Sequence, residues 1–287
     1  MALLSPKIKK PGPLLIYFII LMLASFISLK VSAQGNLLIT PKRVVFEDSK
    51  KSEELNLANI GKDSATYIIS FIQIRMKDDG TVEKITEPDS GQIFADKYVR
   101  FFPRTVTLAP NEAQTVKIQL TRNAEIMPGE YRSHLYFRAT SSNQPLGEDD
   151  PKKKKDTGIS VKLIPIFGIS MPVIVRMGES TTEISLSNFQ IHREADPFIT
   201  LTFNRKGNMS SYGDLSIEHV SSQGKVTQVG IVRGLSVYTP NTTRNFSLPL
   251  SKVANVDYNS GKLRAVYSDQ SPKPKKLAET EISLSLL

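Results

Sequence analysis

The sequence predicts an all-β protein of two β-sandwiches in tandem behind an N-terminal export signal. Three observations carry that prediction. Short runs of alternating apolar residues recur with turn residues between them. No stretch beyond residue 33 keeps a long helical period. The 287 residues suffice for two cores of ordinary size. At 40% hydrophobic and 23% charged the composition is that of a globular chain, and with no cysteine it can hold neither disulfides nor thiolate metal sites.

The first 33 residues have the three parts of a secretory signal. Lys7, Lys9 and Lys10 form a positive start, Leu14 to Ile27 an apolar centre, and Val31-Ser-Ala33 offers small residues for cleavage after Ala33. The expectation is an exported chain with no stable membrane anchor once the signal is removed, and with no cysteine to carry a lipid. Of the formal charge of +9, four lysines (Lys7, Lys9, Lys10 and Lys30) lie in this leader. The mild excess that remains is concentrated in the run Lys152 to Lys155, which reads as a solvated loop and not as a nucleic-acid surface.

Taken in order, Leu38 to Phe46 reads as one strand entered through Pro41, and Leu55 to Asn59 alternates cleanly. Ala65 to Arg75 places Tyr67, Ile69, Phe71 and Gln73 on one face and Ile68, Ser70, Ile72 and Ile74 on the other. Lys77-Asp-Asp-Gly80 is a hairpin signal. The weakly patterned stretch from Thr81 to Tyr98 predicts loop with short strands. Val99 to Pro110, Gln114 to Leu120 and Tyr131 to Arg138 complete a series of about seven strands by Val175, the number and spacing of an immunoglobulin-like sandwich. Strands near Thr182, Phe198, Asp214, Gly230, Asn245, Lys262 and Glu279 predict a second, smaller sandwich. The expected domains are therefore residues 34–176 and 177–287.

The run Gly158 to Val175 is the most distinctive. Ile159, Val161 and Leu163 alternate along one side of a predicted strand, and Pro165 inside it marks an edge, because proline cannot donate to a ladder. An apolar edge strand invites another chain to pair with it, whether a partner or a second copy. A polar, charged loop from Ser141 to Asp156 precedes it.

Several segments together resemble the periplasmic pilus-assembly chaperones of the PapD-like family. They are Leu38-Ile-Thr-Pro-Lys-Arg-Val-Val-Phe-Glu-Asp48 with Leu55-Asn-Leu-Ala-Asn-Ile-Gly61, Phe102-Pro-Arg-Thr-Val-Thr-Leu-Ala-Pro-Asn-Glu-Ala-Gln-Thr-Val-Lys-Ile118, and Tyr131-Arg-Ser-His-Leu-Tyr-Phe137. The resemblance covers most of residues 36–176; residues 177–287 share only length and strand style. It implies a periplasmic chaperone that caps pilus or fimbrial subunits by lending them a strand, and that works with an outer-membrane usher. Ile159, Val161 and Leu163 would be the donor side chains, with Ile166 and Phe167 extending them. It further implies a basic pair that anchors the subunit's terminal carboxylate. Arg43 matches the arginine of that pair, whereas the lysine position holds Phe167, leaving Lys162 on the same strand and Lys42 nearby as candidates. The family's interdomain ion pair has no counterpart at its matching positions, Arg132 and Met171.

No enzyme is expected, since neither a nucleophile elbow, a phosphate loop nor a histidine-centred acid–base set is visible. His134, His192 and His219 stand on separate predicted strands or turns without metal-site spacing, and no cofactor or metal is expected. The alternative to a chaperone is a structural or adhesive periplasmic or cell-surface protein of the same architecture that donates no strand.

Overall fold

A computed structural model describes residues 37–47, 49–121, 126–140, 168–254 and 256–284. The expected signal peptide, the lysine run and the candidates Ile159, Val161, Lys162, Leu163, Ile166 and Phe167 lie outside the described residues. Among those described the chain is all-β, without a helix. The first ten strands are β1 (Leu37–Thr40), β2 (Val44–Phe46), β3 (Ser52–Asn59), β4 (Ala65–Met76), β5 (Val82–Ile85), β6 (Val99–Phe102), β7 (Thr105–Leu108), β8 (Ala113–Leu120), β9 (Gly129–Ala139) and β10 (Gly168–Met177). They form one sheet ordered β1-β3-β8-β6 and another ordered β2-β10-β9-β4-β5, with β7 also on β4.

The expected strand Leu38 to Phe46 is two strands in two sheets. β1 pairs antiparallel with β3, whereas β2 runs parallel to β10. The expected strand Val99 to Pro110 divides likewise, with β6 on β8 and β7 on β4. In both cases the break falls at a proline, Pro41 or Pro103, where the missing N–H ends one ladder and the chain crosses to the opposite sheet. Alternation alone cannot reveal such a crossing, because the residues before and after it face the same core. That core includes Phe46, Leu55, Leu57, Ile69, Leu108, Ile118, Leu135, Phe137, Val173 and Val175, all at most 2% exposed.

Asn59 closes β3. Its side-chain amide, fully buried, donates to the carbonyls of Asp63 (2.8 Å) and Leu108 (3.0 Å) and accepts from the Gly61 N–H (2.9 Å). Every polar atom of that amide is thus used inside the protein. The Lys77–Gly80 signal forms its hairpin, with the Lys77 N–H on the Thr81 carbonyl and Gly80 at φ 83°.

The remaining strands are β11 (Glu183–His192), β12 (Phe198–Lys206), β13 (Ser211–Val220), β14 (Val226–Val237), β15 (Thr243–Pro249), β16 (Lys262–Ser268) and β17 (Lys276–Ser283). They form the sheets β11-β12-β15 and β14-β13-β16-β17 around Ile199, Leu201, Phe203, Leu215, Ile217, Leu263 and Tyr267. Each second-half pattern read from the sequence lies on one of these strands.

Between the two sandwiches β4 changes which face it buries. Tyr67 and Ile69 point into the first core, whereas Ile74 and Met76 are buried on the other side, where Met76 packs with Val45, Ile174 and Tyr238. Asn241 donates to the Met76 carbonyl (2.9 Å) and the Asn245 N–H to that of Asp78 (2.6 Å), so the hairpin end of β4 rests on the second sandwich.

Candidate functional site

The inter-sandwich surface follows from strand parity. Tyr131, Ser133, Leu135 and Phe137 of β9 turn to one side, three of them into the first core, so Glu130, Arg132, His134 and Tyr136 share the opposite face. Register places Arg176, Ile174, Pro172 and Ser170 of β10 opposite those four, and Val45 of β2 beside Ile174. Arg43, two residues before Val45, belongs to the same face. The second sandwich meets this surface with Ser210, Tyr212, Tyr238 and Thr239.

The charges here are unusual. Arg43 stacks over Tyr212, its guanidinium carbon 3.8 Å from the ring centroid, and Arg132 stacks over Tyr238 at 4.3 Å. Burial pushes both guanidinium groups below their ordinary pKa, opposed by Tyr238 in each case. Arg132 is 2% exposed and donates to the Thr239 carbonyl (3.1 Å), but its Nε and Nη1 have no partner, and neither does Nε of Arg43. His134, 3% exposed beside Arg132 and 6.1 Å from the Tyr238 ring, is pushed down to about 3 by burial and by the Arg132 charge, and its Nδ1 is also without a partner. Lys42, the other candidate cation near Arg43, is exposed.

An ion pair of this chain's own, Glu130 with Arg176, lies on the same surface. Glu130, its side chain wholly buried, accepts from Arg176 Nε (3.1 Å), from the N–H of Ser210 (2.9 Å) and from the Ser210 and Thr239 hydroxyls. This pair joins the sandwiches, since Ser210 and Thr239 belong to the second. Glu130, Arg132 and His134 had a visible signal, three charged or titratable residues spaced by two along one face of the strand. Tyr212 and Tyr238 had none, because only tertiary packing brings them here.

β10 carries a second feature. All ten of its residues pair with β9, but only Val173 to Val175 pair with β2. Among the described residues the outer edge of Gly168 to Pro172 therefore has no strand beside it. Gly168, Ile169 and Ser170 are exposed, and the Tyr136 ring lies across Gly168 where a Cβ would stand.

Scanned as a sequence, the chain matches no family model and no curated protein. Compared as a structure, it is similar to pilus-assembly chaperones. The CupB2 chaperone of Pseudomonas aeruginosa is 14% identical over 86% of this chain and 100% of its own, with a TM-score of 0.41. For the YadV chaperone the values are 10% identity, 87% and 100% coverage and a TM-score of 0.42. A chaperone–tip adhesion subunit pre-assembly complex, CsuC–CsuE of Acinetobacter baumannii, matches at 12% identity, 83% and 95% coverage and 0.42.

Proposed function

We propose that this chain is a periplasmic chaperone that binds surface-fibre subunits by lending them a strand and passes them to an outer-membrane usher, without catalysing a reaction. Residues 34–176 would form the subunit-binding domain and 177–287 its companion. The observation that carries the reading is the unequal pairing of β10, whose Gly168–Pro172 edge has no strand beside it among the described residues and follows, in the sequence, the apolar run of Ile159, Val161 and Leu163. Pairing along an open edge supplies main-chain hydrogen bonds, and alternate side chains fix the register. Ile166 and Phe167 would extend the contact to the open edge, and Arg43 would hold the subunit's terminal carboxylate at the sandwich interface.

The test is capture of a partner from the native periplasm by wild type and by a Val161→Asp, Leu163→Asp double variant. A fibre subunit held by wild type and lost by a variant with unchanged melting supports the reading. No subunit with wild type, or equal capture by the variant, overturns it in favour of a structural role.

A further inference from the structure

The first sandwich carries a basic cleft on its far side. β6 is the end strand of its sheet and pairs with β8 alone, so among the described residues one edge of Val99–Phe102 is free. A cavity of about 650 Å³ lies along that edge. Its floor is aromatic, with Phe101 of β6 meeting Phe71 of β4 edge-on at 5.2 Å between ring centroids. Strand parity sends Arg100 and Phe102 to the outer face, where Phe102 is the cross-strand neighbour of Lys117 on β8. Lys97 and Arg104 complete the rim, and the Arg104 guanidinium carbon stands 5.2 Å from the Phe101 ring centroid. The lining thus holds four cations against one carboxylate, Asp96. All four cations are exposed, and among the described residues none of them has an ion pair. Phe102 stands among them 76% exposed, the most exposed large apolar side chain of those described.

We infer that this rim docks the protein, reversibly, on a bilayer of anionic phospholipid. Lys97, Arg100, Arg104 and Lys117 meet the headgroup phosphates, and the Phe102 ring enters the boundary between headgroups and acyl chains. A small free oxyanion would call for enclosed donors, whereas these cations are spread around an exposed ring. A purely acidic segment would neutralise the rim and leave Phe102 in water. A bilayer supplies both partners, a layer of phosphates and, a few ångströms deeper, apolar matter. The topology keeps this surface apart from the open edge of β10. β1 and β6 end the same sheet at opposite sides, and β1 continues through Pro41 into β2, beside β10. The Gly168–Pro172 edge therefore lies on the β1 side and the basic rim on the other, so docking leaves that edge free. The inference does not depend on the chaperone reading.

The experiment floats the exported chain with vesicles of phosphatidylcholine alone, or with about one-third phosphatidylglycerol added to make the surface anionic. The sequence contains no tryptophan, so Phe102→Trp also places a single fluorescent reporter at an exposed position. The expected result is flotation with the anionic vesicles only, a blue shift of the reporter when it floats, and loss of both in high salt. Arg100→Gln and Lys117→Gln should each weaken partitioning about fivefold, and Phe102→Ser by a similar factor. Lys206→Gln, an exposed lysine on the second sandwich, should change nothing. Absence of flotation overturns the inference, as does equal flotation with the neutral vesicles or flotation that the three rim variants leave intact. A reporter shift with inorganic phosphate but not with vesicles replaces the bilayer with a small free oxyanion. A shift with a soluble acidic peptide containing phenylalanine, and none with vesicles, replaces it with a protein segment. Phe102→Ser should capture a fibre subunit as wild type does, and loss of capture in that variant would assign the rim to subunit binding instead.

Discussion

Glu130 and Arg176 are direct cross-strand partners on β9 and β10, and their ion pair is closed from the second sandwich by Ser210, whose N–H donates to Glu130 (2.9 Å) and whose carbonyl accepts from Arg176 (2.8 Å). Removing Arg176 leaves the wholly buried Glu130 carboxylate without its cation, whereas removing Glu130 leaves Arg176, 20% exposed, still beside Glu47 at 3.6 Å. Arg176→Ala is therefore expected to cost about 3–5 kcal/mol in urea unfolding. The double change Glu130→Met, Arg176→Met should recover most of that loss. If the single change costs less than about 1 kcal/mol, the pair does not hold the sandwiches together.

Acid should destabilise the protein through His134. Its pKa is pushed down to about 3 in the folded protein, below the ordinary histidine value of about 6.5, mainly by burial and then by Arg132. Between those two values the unfolded chain binds the proton and the folded protein does not. Stability from this group is complete above about pH 6.5 and falls as pH drops toward 3, by about 1.4 kcal/mol per pH unit at most. His134→Gln should flatten this limb in denaturation measured from pH 7 to pH 4. An unchanged slope would assign the acid sensitivity to other groups.

Asn59→Ala should cost about 3 kcal/mol, because it orphans the Gly61 N–H and the carbonyls of Asp63 and Leu108 together. Thermal or urea unfolding reads the loss directly. A change below about 1 kcal/mol would mean that water replaces the amide.

Two glycines give a paired test of strand packing. A Cβ on Gly213 would stand 2.2 Å from the Ser268 carbonyl oxygen, a backbone atom, whereas one on Gly230 would meet the movable Leu248 Cδ2 at 2.9 Å. Gly213→Ala should lower stability by about 2 kcal/mol or more and Gly230→Ala by clearly less. Equal losses, read as shifts in urea midpoint, would contradict this ranking.

Most strands were legible because one face of each is buried, which writes a period of two into the sequence. Leu55 and Leu57 in β3, or Leu215 and Ile217 in β13, could be placed on sight. The crossings at Pro41 and Pro103 were not legible, since a strand that changes sheets still points its apolar residues at one core. The site was partly legible. Arg43 stood out by its motif, but Arg132 was read only as a position where the family's ion pair has no counterpart. Its significance depends on Tyr238, more than a hundred residues away in the chain, and pairings of that kind leave no local pattern.

The crossing at Pro41 also has a mechanical meaning. One short segment, Leu37 to Phe46, is stitched into both sheets of the first sandwich, and its second half lies parallel to β10. A pull along β10 loads the hydrogen bonds of Val173 to Val175 on both flanks at once, in shear. Among the described residues, the preceding Gly168 to Pro172 has a ladder on one flank only and can be peeled from β9 bond by bond. Tension applied at that end would release the strand progressively while the stitched half keeps its grip.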